Sequence, residues 1–237
     1  MADPPAIVRA FANAVHAVLG DRLVGVYLGG SYAMGDFIDG SSDYDLMVVV
    51  DAPLDRRDVE MLERAHATIA GLPGFERLEG DYAPQAWLTP TGTSQPVDWF
   101  RAGRIRAERE LMLSADNIAN MREQGIVVFG EPPTNVLPRV SIEDVRAAVR
   151  AMLADQDASA TERQAADEIV SLLRSMRALE TGGPTTKSDG IRWGLEHLAP
   201  DRRVLIQEAD RLRRGGVADE TRSTLRDALT ALRRQLL

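Results

Sequence analysis

The stretch Gly29-Gly30-Ser31-Tyr32-Ala33-Met34-Gly35-Asp36-Phe37-Ile38-Asp39-Gly40-Ser41-Ser42-Asp43-Tyr44-Asp45 governs the reading of the whole chain. An apolar run over residues 23–28 leads into it and a second, over residues 46–50, leads out. A turn of small residues therefore delivers the chain to a strand that opens with two carboxylates. Side chains alternate along a strand, so Asp43 and Asp45 share a face. Two adjacent carboxylates repel, and the pair is costly unless a cation lies between them. Gly30, Ser31 and Ser42 suit the other half of such a site. Glycine lets backbone N–H groups approach an anion, and serine hydroxyls can donate to phosphate oxygens. A phosphate cradle beside metal-binding acids is equipment for phosphoryl or nucleotidyl transfer.

Outward from this stretch the pattern divides. Ile7, Phe11, Ala14, Val15 and Val18 recur at helical spacing after two prolines, with Gly20 as the stop. A second amphipathic helix is expected over residues 55–70, a third strand over 75–82, a helix over 104–124 with a restart near Ser114, and a short strand over 126–129. The proline-rich segment from Glu131 to Pro138 marks a boundary. Beyond it the periodicity is helical throughout. Ser141-x-x-Asp144 and Thr161-x-x-Gln164 are capping-box patterns. The second opens a helix with Ala165, Ile169, Leu172, Met176 and Leu179 on one stripe, ended by Gly182-Gly183-Pro184. Two further helices are expected over 200–214 and 220–236. The fold class is therefore α+β: residues 1–135 form a domain with a small mixed β-sheet and flanking helices, and residues 136–237 form a helical bundle.

Gly30-Ser31, followed by Ser42-Asp43-x-Asp45 at the head of an apolar strand, resembles the nucleotidyltransferases related to DNA polymerase beta. Leu78-Glu79-Gly80-Asp81-Tyr82, the run Gln124-Gly125-Ile126-Val127-Val128-Phe129-Gly130-Glu131-Pro132, and Leu172-Leu173-Arg174 with Lys187 and Trp193 narrow the likeness. Together they resemble the aminoglycoside nucleotidyltransferases that adenylylate streptomycin and spectinomycin, over about residues 20–215. The resemblance implies two magnesium ions on Asp43, Asp45 and Glu79, with ATP as co-substrate. It puts Glu79 in the position of the general base, with Asp81 as the other acid on that strand face. It also implies that Arg174 and Lys187, which are 13 residues apart, contact the ATP phosphates. A helix start near Ser188 would add N-terminal amides beside Lys187. Where relatives carry a tyrosine near the nucleotide, this chain has Arg213.

Dual-specificity relatives use a tryptophan and acids in the loop before the Arg174 helix for streptomycin. Here that loop lacks tryptophan but carries Asp155, Asp157 and Glu162, acids able to pair with a cationic substrate, and Trp99 is able to stack on substrate or base. The likeness thus points to a spectinomycin-type aminocyclitol rather than streptomycin, and so to antibiotic resistance. A nucleotidyltransferase modifying a protein or another non-antibiotic substrate is the alternative. A non-catalytic module on the same scaffold would not need a third acid acting as base.

Composition sets the outer limits. The formal net charge of −8 favours a cationic small substrate and disfavours nucleic acid, whose binding rests on cationic contacts to phosphates. Cysteine is absent, which excludes disulfides and thiolate metal sites. No apolar run approaches the roughly 20 residues of a membrane span. The opening Met1-Ala2-Asp3-Pro4-Pro5 has no secretory pattern. A cytoplasmic protein with no membrane association and no obligate protein partner is the expectation.

Overall fold

The computed structural model describes residues 3–154, 161–219 and 224–236, apart from the side chains of residues 107–110 and 235–236. The chain divides into two compact units, residues 1–37 with 42–144, and residues 38–41 with 145–237. The fold is α+β. Among the described residues no helix is long and apolar enough to cross a membrane.

The first unit opens with α1 (Ala6–Leu19), which ends at Gly20. Strand β1 (Leu23–Leu28), the short turn α2 (Gly30–Ala33) and β2 (Tyr44–Val50) follow. Asp55 caps α3 (Arg56–Thr68) by accepting from the Asp58 N–H. The chain then runs through β3 (Leu78–Pro84), the small hairpin β4 (Leu88–Thr89) and β5 (Gly92–Thr93), and the strands β6 (Val97–Arg101) and β7 (Arg104–Leu111). Helix α4 (Ala115–Gln124), strand β8 (Ile126–Gly130) and the turn α5 (Pro133–Val136) complete it. The main sheet has the order β7-β6-β3-β2-β1-β8. It is mixed: β2 and β3 run parallel, joined through α3, and the other neighbours are antiparallel.

Alternation splits the sheet's side chains between two cores. Val26, Leu28, Leu46, Val48, Leu78, Tyr82 and Phe100 meet Ile7, Val8, Phe11 and Val15 of α1 and Leu62 of α3. On the other face Tyr27, Met47, Val49, Ala83 and Val97 meet Ile118 and Met121 of α4. The parity of Met47 and Val49 puts Asp45 on this second face. His66 is buried in the first core, bonded through Nδ1 to the Gly103 carbonyl and through Nε2 to the Tyr82 hydroxyl, each at 2.9 Å.

Two sequence expectations for this unit are corrected. The helix expected over 104–124 is only α4; residues 104–111 form β7, the edge strand paired with β6. The cause is the turn Ala102-Gly103, both with positive φ (45° and 77°). Such a two-residue turn directs the chain into a hairpin, and the charges at Arg104 and Arg106 suit an edge. The third strand begins at Leu78, because residues 75–77 form a single 3₁₀ turn.

The second unit is helical: α6 (Ile142–Ala154, starting in the first unit), α7 (Glu162–Thr181), α8 (Lys187–His197), α9 (Pro200–Arg213) and α10 (Thr224–Leu236). The start expected for the last helix, at residue 220, lies outside the described residues. Ser141, Thr161 and Thr186 each accept from the N–H three residues on. Helix α7 is the axis, packed by α8, α9 and α10. Its buried set is accordingly wider than one stripe: Ala166, Val170 and Leu173 are covered along with Ala165, Ile169 and Leu172.

Candidate active site

The turn after β1 sets up the first acids. The Gly29 N–H donates to the Asp45 carbonyl at 2.8 Å, so the end of β1 and the start of β2 are tied together. Gly30 follows with φ +57°, and a Cβ on it would lie 1.7 Å from Asp45 Oδ2. Only glycine leaves room for that carboxylate, and only glycine takes this φ without strain. Ser31 lies within α2, and Ser42 stands half-buried immediately before Asp43. Asp43 is the last residue before β2, and Asp45 is its second.

Strand register completes the cluster. Asp45 lies opposite Glu79, and Glu79 lies opposite Arg101. Three neighbouring strands thus carry acid, acid and base in one row. The Arg101 guanidinium bridges two carboxylates: Nη2 stands 3.1 Å from Asp43 Oδ2, and Nη1 stands 3.1 Å from Glu79 Oε2. One row inward, Asp81 pairs in register with Trp99. Asp81 Oδ1 is buried without a hydrogen-bond partner among the described residues. Burial, then the negative charges of Glu79 and Asp45, push the Asp81 carboxyl up to about 7. Trp99 is half-buried on this same acid-bearing face, two residues before Arg101.

The resemblance puts magnesium on Asp43, Asp45 and Glu79. Among the described residues no three acidic, histidine or cysteine side chains are grouped to hold an ion. Mutual repulsion is relieved instead by Arg101, which spans Asp43 and Glu79. The donor set still fits a hard divalent cation: carboxylate oxygens on one sheet face are what magnesium prefers, and a cationic group is already accommodated between two of them.

In the second unit, Gly190 of α8 packs on α7 so closely that a Cβ there would lie 2.4 Å from the Arg174 backbone nitrogen. Lys187 precedes Gly190 by three residues and so shares its helix face. Arg174 and Lys187 are therefore carried by facing sides of one helix pair. Both are half-buried and neither has a polar partner among the described residues. Lys187 is the first residue of α8, and one N–H of that first turn is already capped. Thr186 accepts from the Asp189 N–H at 2.9 Å. The same threonine, donating to the Asp189 side chain, holds that carboxyl below its ordinary range. A negative charge thus already sits at this helix start, leaving Lys187 as the cation on offer.

Arg213 is 7 % exposed. It pairs with Asp210 and donates to Ser188 Oγ at 2.9 Å, and its carbonyl accepts from Ser41 Oγ at 2.8 Å. It ties α9 to the first turn of α8 and to the segment 38–41. Glu162 is corrected from a loop acid facing substrate to a buried anchor, 4 % exposed. Its carboxylate accepts from the Leu225 N–H at 2.9 Å and the Arg226 N–H at 3.3 Å, holding the first turn of α10. Asp155 and Asp157 lie outside the described residues. Arg101 escaped the sequence reading. Its available signal was the alternation Trp99-x-Arg101 entering a hairpin turn, hidden by reading the next segment as helix.

Comparisons with known proteins agree with this architecture. Residues 11–98 match the nucleotidyltransferase domain, and residues 135–237 match the aminoglycoside adenylyltransferase C-terminal domain. Spectinomycin 9-adenylyltransferases of Staphylococcus aureus, including those of strains Mu50 and N315, are 26 % identical over 225 residues, covering 87 % of this chain and 84 % of theirs. The crystal structure of spectinomycin adenyltransferase AAD(9) from Enterococcus faecialis with ATP and spectinomycin superposes with a TM-score of 0.74 at 19 % identity, over 97 % of this chain and 98 % of that one. That likeness shows the fold.

Proposed function

From its place in the aminoglycoside nucleotidyltransferase family, to which this nucleotidyltransferase belongs, we propose that the chain transfers AMP from ATP to a hydroxyl of a spectinomycin-type aminocyclitol, releasing pyrophosphate. The observation that carries the reading is the register row: Asp45 opposite Glu79, with Asp43 two residues earlier on the same face. Three carboxylates at the head of two adjacent strands support that reading, since nucleotidyl transfer needs acids beside the forming alkoxide and the phosphate.

Asp43, Asp45 and Glu79 are the residues that would hold magnesium. When bound, the ion would lower the barrier by drawing charge from the phosphate oxygens. Glu79 is the general base. Its side chain is about a quarter exposed (24 %), so it can meet a substrate hydroxyl. Asp81 is the poorer candidate, since its Oδ1 is sealed from solvent. Ser31 and Ser42 donate hydroxyls to phosphate oxygens, and Gly30 keeps the turn close to Asp45. Arg174 and Lys187 supply charge for the triphosphate, consistent with the absence of a protein partner for either among the described residues. Trp99 and the acidic face of the sheet attract the ammonium groups of the acceptor, in keeping with the net charge of −8. The product would lack the drug's original hydroxyl, which is the basis of resistance, and a cytoplasmic setting with ATP and magnesium suits the reaction.

The test is pyrophosphate release from Mg-ATP across a panel containing spectinomycin, streptomycin and other aminoglycosides. Turnover with spectinomycin above streptomycin is expected. Turnover with none of them would refute the acceptor assignment.

A further inference from the structure

The proposed chemistry uses every acid of the row and leaves Arg101 without a task. The bonding of Arg101 is nonetheless specific. One guanidinium spans two carboxylates that come from different strands, at 3.1 Å to each. A planar fork suits this, because it presents donors on two nitrogens at a fixed separation, one to each acceptor. The backbone of Arg101 is fixed by its register opposite Glu79. Its side chain is half exposed, at 51 % against 28 % for Asp43 and 24 % for Glu79, so the guanidinium can leave toward solvent without disturbing the sheet. Asp45, opposite Glu79 in the register, adds a third carboxylate, so this face carries more acids than the two that Arg101 spans.

We propose that Arg101 is the internal counter-cation of the acid cluster, spanning Asp43 and Glu79 when no divalent ion is held there and giving way when one is. The proposal rests on reading those acids as metal ligands. A guanidinium and a metal ion cannot occupy one gap between the same two carboxylates, so the two states exclude each other. Arg101 thereby stabilises the metal-free protein and weakens its intrinsic affinity for the ion. Only the combined pull of the whole cluster and its nucleotide would then displace it.

The experiment is Mn²⁺ titration of the full-length protein without nucleotide, read by the electron paramagnetic resonance signal of the free ion. Arg101→Gln is compared with wild type, alongside thermal midpoints in EDTA and in saturating Mn²⁺. Two partly exposed ion pairs predict Mn²⁺ binding about five- to tenfold tighter in Arg101→Gln. They also predict a lower midpoint in EDTA, with the difference closing in Mn²⁺. Affinities within about twofold of each other would overturn the proposal while leaving the metal site intact. Failure of both proteins to bind Mn²⁺ would overturn the metal-site reading and this proposal with it. Should Arg101→Gln not fold, Arg101→Met decides. Methionine keeps an apolar stem and removes the charge, so Mn²⁺ binding tighter than wild type is expected, and unchanged affinity would overturn the proposal.

Discussion

Gly30→Ala is the sharpest probe of how the turn serves the acids. The new Cβ would lie 1.7 Å from Asp45 Oδ2 and 2.5 Å from its Cγ. Ordinary contact between such atoms is near 3.5 Å, so the carboxylate or the turn must shift by roughly 1.5–2 Å. A displacement of about 1 Å at a reacting centre is enough for a loss on the order of 100-fold. Turnover should therefore fall at least about 100-fold. Alanine at φ +57° also costs roughly 1–2 kcal/mol of backbone strain, which lowers the thermal midpoint by about 2–8 °C for a chain of this size. Gly35→Ala separates the two effects. Gly35 has a similar backbone, φ +72°, but nothing lies within 4 Å of its missing Cβ. The control should lose the same stability and keep turnover within about threefold. Pyrophosphate release from Mg-ATP with spectinomycin, paired with thermal melts, reads both quantities. Equal turnover in Gly30→Ala and Gly35→Ala would refute the idea that Gly30 exists to seat Asp45.

Other outcomes follow from single contacts. Asp43→Asn should abolish transfer with folding retained. Glu79→Gln should keep ATP binding, measured by calorimetry, while turnover drops about 100-fold or more; loss of ATP binding would recast Glu79 as a ligand holder. Glu162→Ala strips the acceptor from the Leu225 and Arg226 N–H groups and should lower urea stability by about 2–3 kcal/mol. A changed spectinomycin KM with unchanged stability would instead return Glu162 to the substrate face. Burial holds the His66 imidazole below its ordinary value, against the weaker opposing pull of the Gly103 carbonyl. The unfolded chain then takes up the proton first, so the His66 contribution is full above about pH 6.5 and declines as pH falls below it. The stability difference between pH 7.5 and 5 should shrink in His66→Gln, and an unchanged difference would contradict this.

Much of this architecture can be read directly from residue pattern. The Gly-Ser turn, the Asp-x-Asp strand and the paired capping boxes are local signals, and each reappears where its chemistry requires. The failures have a common cause, which is that tertiary partners are invisible in one dimension. Residues 104–111 became a strand because Ala102-Gly103 folds them back on β6, a non-local pairing that overrides helical spacing. Glu162 looked like a loop acid because its partners, Leu225 and Arg226, are some sixty positions away (|i−j| 63 and 64). The acids' own counter-charge was missed for the same reason, since Arg101 meets Asp43 across a separation of 58 residues. Arg174 and Lys187 are singled out by resemblance alone. Their common helix pair rests on a close contact at Gly190 that no periodicity announces.

The account turns on the acids at the head of β2 driving adenylyl transfer, and mass spectrometry of the acceptor tests this most directly. Wild-type protein with Mg-ATP and spectinomycin should yield spectinomycin carrying one adenylyl group. Asp45→Asn, melting at an unchanged temperature, should yield none. Product formed at comparable rates by both proteins would contradict the account, as would wild-type protein that binds ATP yet leaves spectinomycin unmodified.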